Sequence, residues 1–138
     1  MMQSLENLAA LEKFIDSWDN DEQGTKAAFL RLKSYLEDKN NVVFDFNSRP
    51  GVTHSLRAAH PSGKRPLFVL IDVIEDTPRW LSVCFYGDSV TDPGEVGNLI
   101  PDSLLDEDGY CFDVETGDDT ELTYIEKRLD EAYNDAAA

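Results

Sequence analysis

Three polar residues fall on what read as neighbouring strands: His54, Asp72 and Ser82. Asp72 interrupts the most apolar run of the chain, residues 65–75. A carboxylate in such surroundings has a raised pKa unless a cation or hydrogen-bond donors hold it. A turn centred on Gly63 sets His54 opposite Asp72, and a turn centred on Thr77 sets Asp72 opposite Ser82. The three side chains then line one face of a sheet. Their types are those of a nucleophilic triad, but that mechanism needs His between Ser and the carboxylate, and here Asp is in the middle. No Gly-x-Ser-x-Gly elbow is present either. The expectation is a structural or ligand-orienting pair, His54 with Asp72, and no residue is assigned as catalytic. It depends on register, because a slip of one residue moves every side chain to the other face.

A second constellation is basic. Arg49, Arg57, His60, Lys64, Arg65 and Arg79 gather around the turns of the same strands, with Trp80 and Tyr86 nearby. Such a group suits an anion or an acidic peptide. It equally suits charged edges that discourage strand pairing with other chains. A third stretch, Asp106-Glu-Asp-Gly109 with Asp113, has the carboxylates of a calcium loop. It lacks the alternating ligands and the closing Glu, and reads as an acidic turn. Two histidines without nearby cysteines make no zinc site. Walker, Gly-x-Gly-x-x-Gly and Cys-x-x-Cys motifs are all absent, so neither metal nor cofactor is expected.

The elements that position these residues follow from periodicity. Ser4 is placed to cap a helix whose apolar face is Leu5, Leu8, Leu11, Phe14, Ile15 and Trp18. The run 19–24 breaks it, and Thr25 is placed to cap a second helix burying Ala28, Phe29, Leu32, Tyr35 and Leu36. From Val42 the period becomes two, and four strands follow with Pro50-Gly51, 61–64 and 75–78 as turns. Residues 88–108 hold Pro93, Gly94, Gly97 and Pro101 and read as a long loop before a short strand at 110–114. Asp118 with Glu121 forms a capping box for a last helix bearing Leu122, Ile125, Leu129, Ala132 and Tyr133. The expected fold is a two-layer α+β domain, in the order α-α-β-β-β-β-loop-β-α. It has an N-terminal αα-hairpin, an antiparallel meander of four to five strands and a C-terminal helix. One domain is expected over 1–138, made of 1–41, 42–87, 88–117 and 118–138.

The 138 residues carry a net charge of -16, unevenly spread. Residues 1–48 hold five Lys/Arg against nine Asp/Glu, residues 49–79 five against three, and residues 80–138 two against sixteen. That distribution argues against binding a phosphate backbone, so no nucleic acid is expected. No apolar run is long enough for a membrane span, and no membrane association is expected. Cys84 and Cys111 sit among apolar neighbours and read as unpaired small hydrophobes, which with the lack of a secretion signal points to the cytoplasm. The function class is a small acidic protein-interaction or ligand-binding module without catalysis, monomeric or homodimeric, with a basic protein as partner. Two other classes are carried: a small-molecule enzyme or binding site on the His54/Asp72 face, and an acidic mimic of nucleic acid docking on a basic protein.

Overall fold

The computed structural model describes residues 5–19 and 23–138. Three helices, α1 (Leu5–Ser17), α2 (Thr25–Glu37) and α3 (Asp119–Ala137), flank six strands. These are β1 (Val43–Arg49), β2 (Thr53–Ala59), β3 (Val69–Ile74), β4 (Trp80–Tyr86), β5 (Asn98–Leu104) and β6 (Glu107–Val114). The fold is α+β. One antiparallel sheet runs in the order β1-β2-β3-β4-β6-β5. Its inner face carries Phe44, Phe46, Leu56, Ile71, Val73, Leu81, Val83, Phe85 and Phe112, all buried. They pack in one cluster with Phe14, Phe29, Leu32, Leu36, Leu122, Ile125 and Leu129 of the helices. The other face is half open, since β3 and β4 alternate between buried and half-buried positions.

Local chemistry explains the helix ends. Asp118 caps α3 by accepting from the Glu121 N–H at 2.9 Å. The cap of α2 is Gly24 and not Thr25, which is fully buried as the first helical residue. Gly24 has φ 83°, a left-handed conformation that costs glycine little. A Cβ there would also sit 3.3 Å from the Gly117 backbone nitrogen, so the starts of α2 and α3 meet at two glycines. The expected Ser4 cap lies outside the described residues.

The register corrects the central expectation. Asp72 pairs with Ser82 as expected, but β2 presents Ser55 to Asp72, and His54 pairs with Val73. Pairing opens at Ala58↔Val69, which centres the turn between Gly63 and Lys64 rather than on Gly63. That half-step turns His54 to the inner, helix-covered face and leaves Asp72 and Ser82 on the outer one. The Pro50-Gly51 turn behaves as read: Val52 N–H donates to Arg49 O at 2.9 Å and Gly51 has φ 78°.

Residues 88–108 are not a loop throughout. They contain β5, which turns through Leu105 and Asp106 into β6, so the sheet has six strands. Both turn residues have positive φ (48° and 67°), a conformation usually supplied by Asn-Gly. The acidic run 106–109 is therefore a hairpin turn and the start of β6. The segment before β5 is fastened by Asp92, which accepts from Tyr110 Oη (2.6 Å), Tyr124 Oη and the Gly97 N–H (2.8 Å). Burial alone would raise the Asp92 carboxyl, but these donors hold it down at about 2. Nearby, Arg128 lies buried over the Tyr124 ring at 4.5 Å. Its Nε is 3.0 Å from Glu131 Oε1, an ion-pair distance, yet that N–H finds no hydrogen-bond partner, so we count the contact as Coulombic only.

Cys84 and Cys111 are not free. They face each other across β4 and β6, 4.1 Å apart at Cα, and form a disulfide. Pairing that spans 27 residues of sequence is invisible in local composition. The support that free thiols lent to a cytoplasmic reading no longer applies.

Candidate functional site

His54 keeps polar company on the inner face, with partners other than those expected. Its Nδ1 lies 2.8 Å from Ser48 Oγ, and its Nε2 lies 3.1 Å from Glu75 Oε2. Ser48 comes from the directly paired position of β1. Glu75 is the next inward position after Val73, just past the end of β3. Arg79, two residues before the inward Leu81 of β4, donates twice to Glu75, at 2.6 and 3.0 Å. From α1, Phe14 stacks on the imidazole (4.2 Å between centroids, 26° between planes). The Arg79 guanidinium sits 5.3 Å over the rings of both Phe14 and Trp18, which are one turn apart.

The electrostatics of this cluster are ordered. Arg79's hydrogen bonds, then that of His54, hold the Glu75 carboxyl at about 2 against the opposing effect of burial. An ionised carboxylate only accepts, so in the neutral ring Nε2–H donates to Glu75. The lone pair of Nδ1 then receives the Ser48 hydroxyl proton. His54 is 7% exposed, whereas Ser48 stands open to solvent at the sheet edge.

Asp72 lies half-buried on the outer face with Ser55 Oγ bonded to its Oδ1. Burial raises its carboxyl, with the Ser55 bond and then the charges of Arg49 and Arg57 acting against that shift. Ser82, opposite Asp72 in register, has its Oγ 3.4 Å from Cys84 Sγ. The predicted trio therefore separates: Asp72 and Ser82 share the outer face and His54 does not. Matching apolar faces would have found this. Leu56 and Ala58 must align with Ile71 and Val69, and that alignment carries His54 to Val73. Continuing the alternation past the strand ends then points Glu75 and Arg79 to the same side.

The basic group divides as well. Arg49 and Arg79 flank the Pro50-Gly51 end of the sheet, while His60, Lys64 and Arg65 sit at the opposite end, about 20 Å away along strands of this length. Arg57 lies between them, opposite Asp45. Arg65 is occupied by Asp88 (2.8 Å) and Glu107 (2.7 Å) and covers the Tyr86 ring at 4.2 Å. A cleft of about 500 Å³ lies there, lined by His60, Lys64, Phe68, Tyr86, Asp88 and Asp135 among others. Its lining mixes basic and acidic side chains.

The strongest surface contrast is at the far edge. Val96, Leu99, Ile100 and Leu105 are 62, 55, 43 and 44% exposed, all on β5 or beside it. No Lys or Arg occurs between Arg79 and Lys127. Pairing of β5 with β6 is shifted between Ile100 and Leu104, where Pro101 and Asp102 (φ 56°) interrupt the ladder. Sequence reading missed this surface because an exposed strand shows no alternation.

Taken together, the geometry defines a two-layer α+β domain with helices against one face of a six-stranded antiparallel sheet. No protein-family model, curated protein or solved structure matches the chain. Among the described residues, no helix is long and apolar enough to cross a membrane. No group of three His, Cys, Asp or Glu there is placed to hold a metal ion.

Proposed function

We propose that this domain is a protein-interaction module whose β5–β6 hairpin docks a basic protein partner. The observation that carries the reading is the coincidence of exposed aliphatic side chains with a long stretch lacking Lys and Arg. Aliphatic anchors ringed by one sign of charge fit a partner with an apolar stripe bordered by Lys and Arg. Pro101 lacks an N–H and the bulge breaks the ladder, so a partner strand cannot simply extend the sheet. A helix face bearing Leu and Lys meets both the apolar and the charged features. Mimicry of a phosphate backbone would need carboxylates alone, whereas here Leu99 and Leu105 stand among them.

The test is an NMR titration with a synthetic amphipathic Lys/Leu helix as probe and a Glu/Leu helix as control. Shift changes are expected at residues 96–108 with the basic peptide only, weakening as salt is raised. A Leu99→Ser/Leu105→Ser variant should bind about tenfold more weakly, the effect of roughly 1.4 kcal/mol. Changes confined to the carboxylates of α3, or equal binding by the serine variant, would overturn the reading.

A further inference from the structure

We propose that Ser48 is an activated nucleophile, with His54 as its general base and Glu75 and Arg79 as positioning residues, and that it accepts acyl groups from small esters. This goes beyond the docking surface and shares no residue with it. The requirement for such a site is a nucleophile in hydrogen-bond reach of a base that a third group orients. Ser48 Oγ is 2.8 Å from His54 Nδ1, and His54 Nε2 is 3.1 Å from Glu75 Oε2. Glu75 is in turn fixed by two bonds from Arg79. His lies in the middle, as proton transfer demands. The two ring nitrogens have exchanged roles relative to the usual triad, which the chemistry permits because either can act as base.

Three further features bear on the assignment. Phe14 stacked on the imidazole keeps water from one side of the base and restricts its rotation. Ser48 is an exposed residue on the edge strand, so its side of the site faces solvent. β1 is an edge strand, and alternate N–H groups along its free side are not used by the sheet. Either Ser48 or both of its neighbours therefore direct an N–H outward, a donor for oxyanion charge beside the nucleophile.

The reaction balances within these groups. Ser48 Oγ forms a bond to the ester carbonyl carbon while its proton moves to His54 Nδ1. The bond from that carbon to the alcohol oxygen breaks, and His54 returns the proton to the departing alkoxide. Water then attacks the acyl carbon and gives a proton to His54. The acyl bond to Ser48 breaks, a carboxylic acid leaves, and the serine oxygen recovers its proton.

The experiment uses the folded chain with a dialkyl fluorophosphate as probe. Its phosphorus forms a bond to Ser48 Oγ, the P–F bond breaks, fluoride leaves and the proton passes to His54. Peptide mass spectrometry is expected to find the adduct at Ser48, with Ser55 and Ser82 of the same molecules unlabelled. Denaturation in urea should abolish labelling. A His54→Gln variant that retains its circular dichroism should label at least about 100-fold more slowly. Glu75→Gln should lower the limiting inactivation rate and leave the half-saturating probe concentration unchanged, a split that a loosened fold would not give. In parallel, p-nitrophenyl acetate should release p-nitrophenolate in a burst matching the protein concentration, and Ser48→Ala should remove the burst. Ser48 left unmodified in the folded protein, or labelling spread evenly over the exposed serines, overturns the proposal. The wild-type selectivity alone decides this if the His54 variant does not fold.

Discussion

The two edges of the sheet are finished by opposite means. At β1, a helix lies over the inner face, every inward position is apolar or part of the Ser48–His54–Glu75 cluster, and the charges of Glu75 and Arg79 are paired. At β5, six of seven residues are exposed, the ladder is bulged, and carboxylates accumulate, with Arg65 paired to Glu107 at the start of β6. The first edge is held by packing. The second is held by fasteners: the Cys84–Cys111 bond, which joins β6 to β4, and the Asp92 hub, which ties the preceding segment to β6 and α3. A strand supplied with fasteners in place of a core can leave aliphatic side chains outside for another molecule.

The largest test of that contrast removes the disulfide. A Cys84→Ala/Cys111→Ala variant frees a loop of 27 residues and should lose about 3.5 kcal/mol by the chain-entropy account. Hydrogen exchange should rise in β5 and β6 before it rises in β1 and β2. Equal loss of protection at both edges would erase the distinction drawn here.

Next in size is Glu75→Gln, expected to cost roughly 2 kcal/mol at pH 7, since a partly exposed pair is screened. The sign follows from the depressed carboxyl. Its contribution is present above the ordinary value of 4.5 and is lost as pH falls towards about 2. Urea melts between those pH values should therefore converge for wild type and variant. Asp92→Asn should cost about 1 kcal/mol by weakening charge-assisted bonds from two tyrosines. Its effect belongs to residues 90–97, read as lost NMR shift dispersion there with the β1 edge unchanged.

Asp72→Asn should act in the other direction. Burial raises that carboxyl, so ionisation opposes folding once pH exceeds the ordinary 3.8, and the penalty is full above the raised value. The variant is expected to be more stable by under about 1 kcal/mol at pH 7 and no different at pH 2, by thermal melting. The smallest stability change belongs to Pro101→Val, within about 0.5 kcal/mol. Its readout is association: restoring an N–H on β5 should raise the apparent mass in sedimentation, which would show Pro101 acting as an edge guard.

The same contrast decided what could be read from sequence. β1 to β4 were legible because each buries one face, and a period of two is the imprint of one-sided burial. Leu11, Phe14 and Trp18 marked α1 for a similar reason. β5 buries only Leu104, so no alternation exists to read, and the Leu105-Asp106 turn lacks the residues its φ angles favour. His54 was found as a residue of interest, but its partners were not. Register depends on where the stretch between Ala58 and Val69 is centred, and half a residue there exchanged Asp72 for Val73. Glu75 lay in the turn 75–78, where it read as punctuation, and Arg79 was read as part of a basic group, so neither was taken to continue the strands' inner face.

The strand order has a consequence for how the chain assembles. Neighbouring hairpins from β1 to β4 close over short separations, and β5–β6 can form as its own hairpin before β6 meets β4. The inner face, however, waits for α3, whose Leu122, Ile125, Leu129 and Ala132 complete the cluster. During synthesis, a chain that has emerged only as far as β6 lacks the part of the inner-face cover that α3 supplies, although α1 and α2 are already present. Until α3 packs, part of the apolar inner face stays uncovered, and uncovered apolar surface of that kind favours self-association.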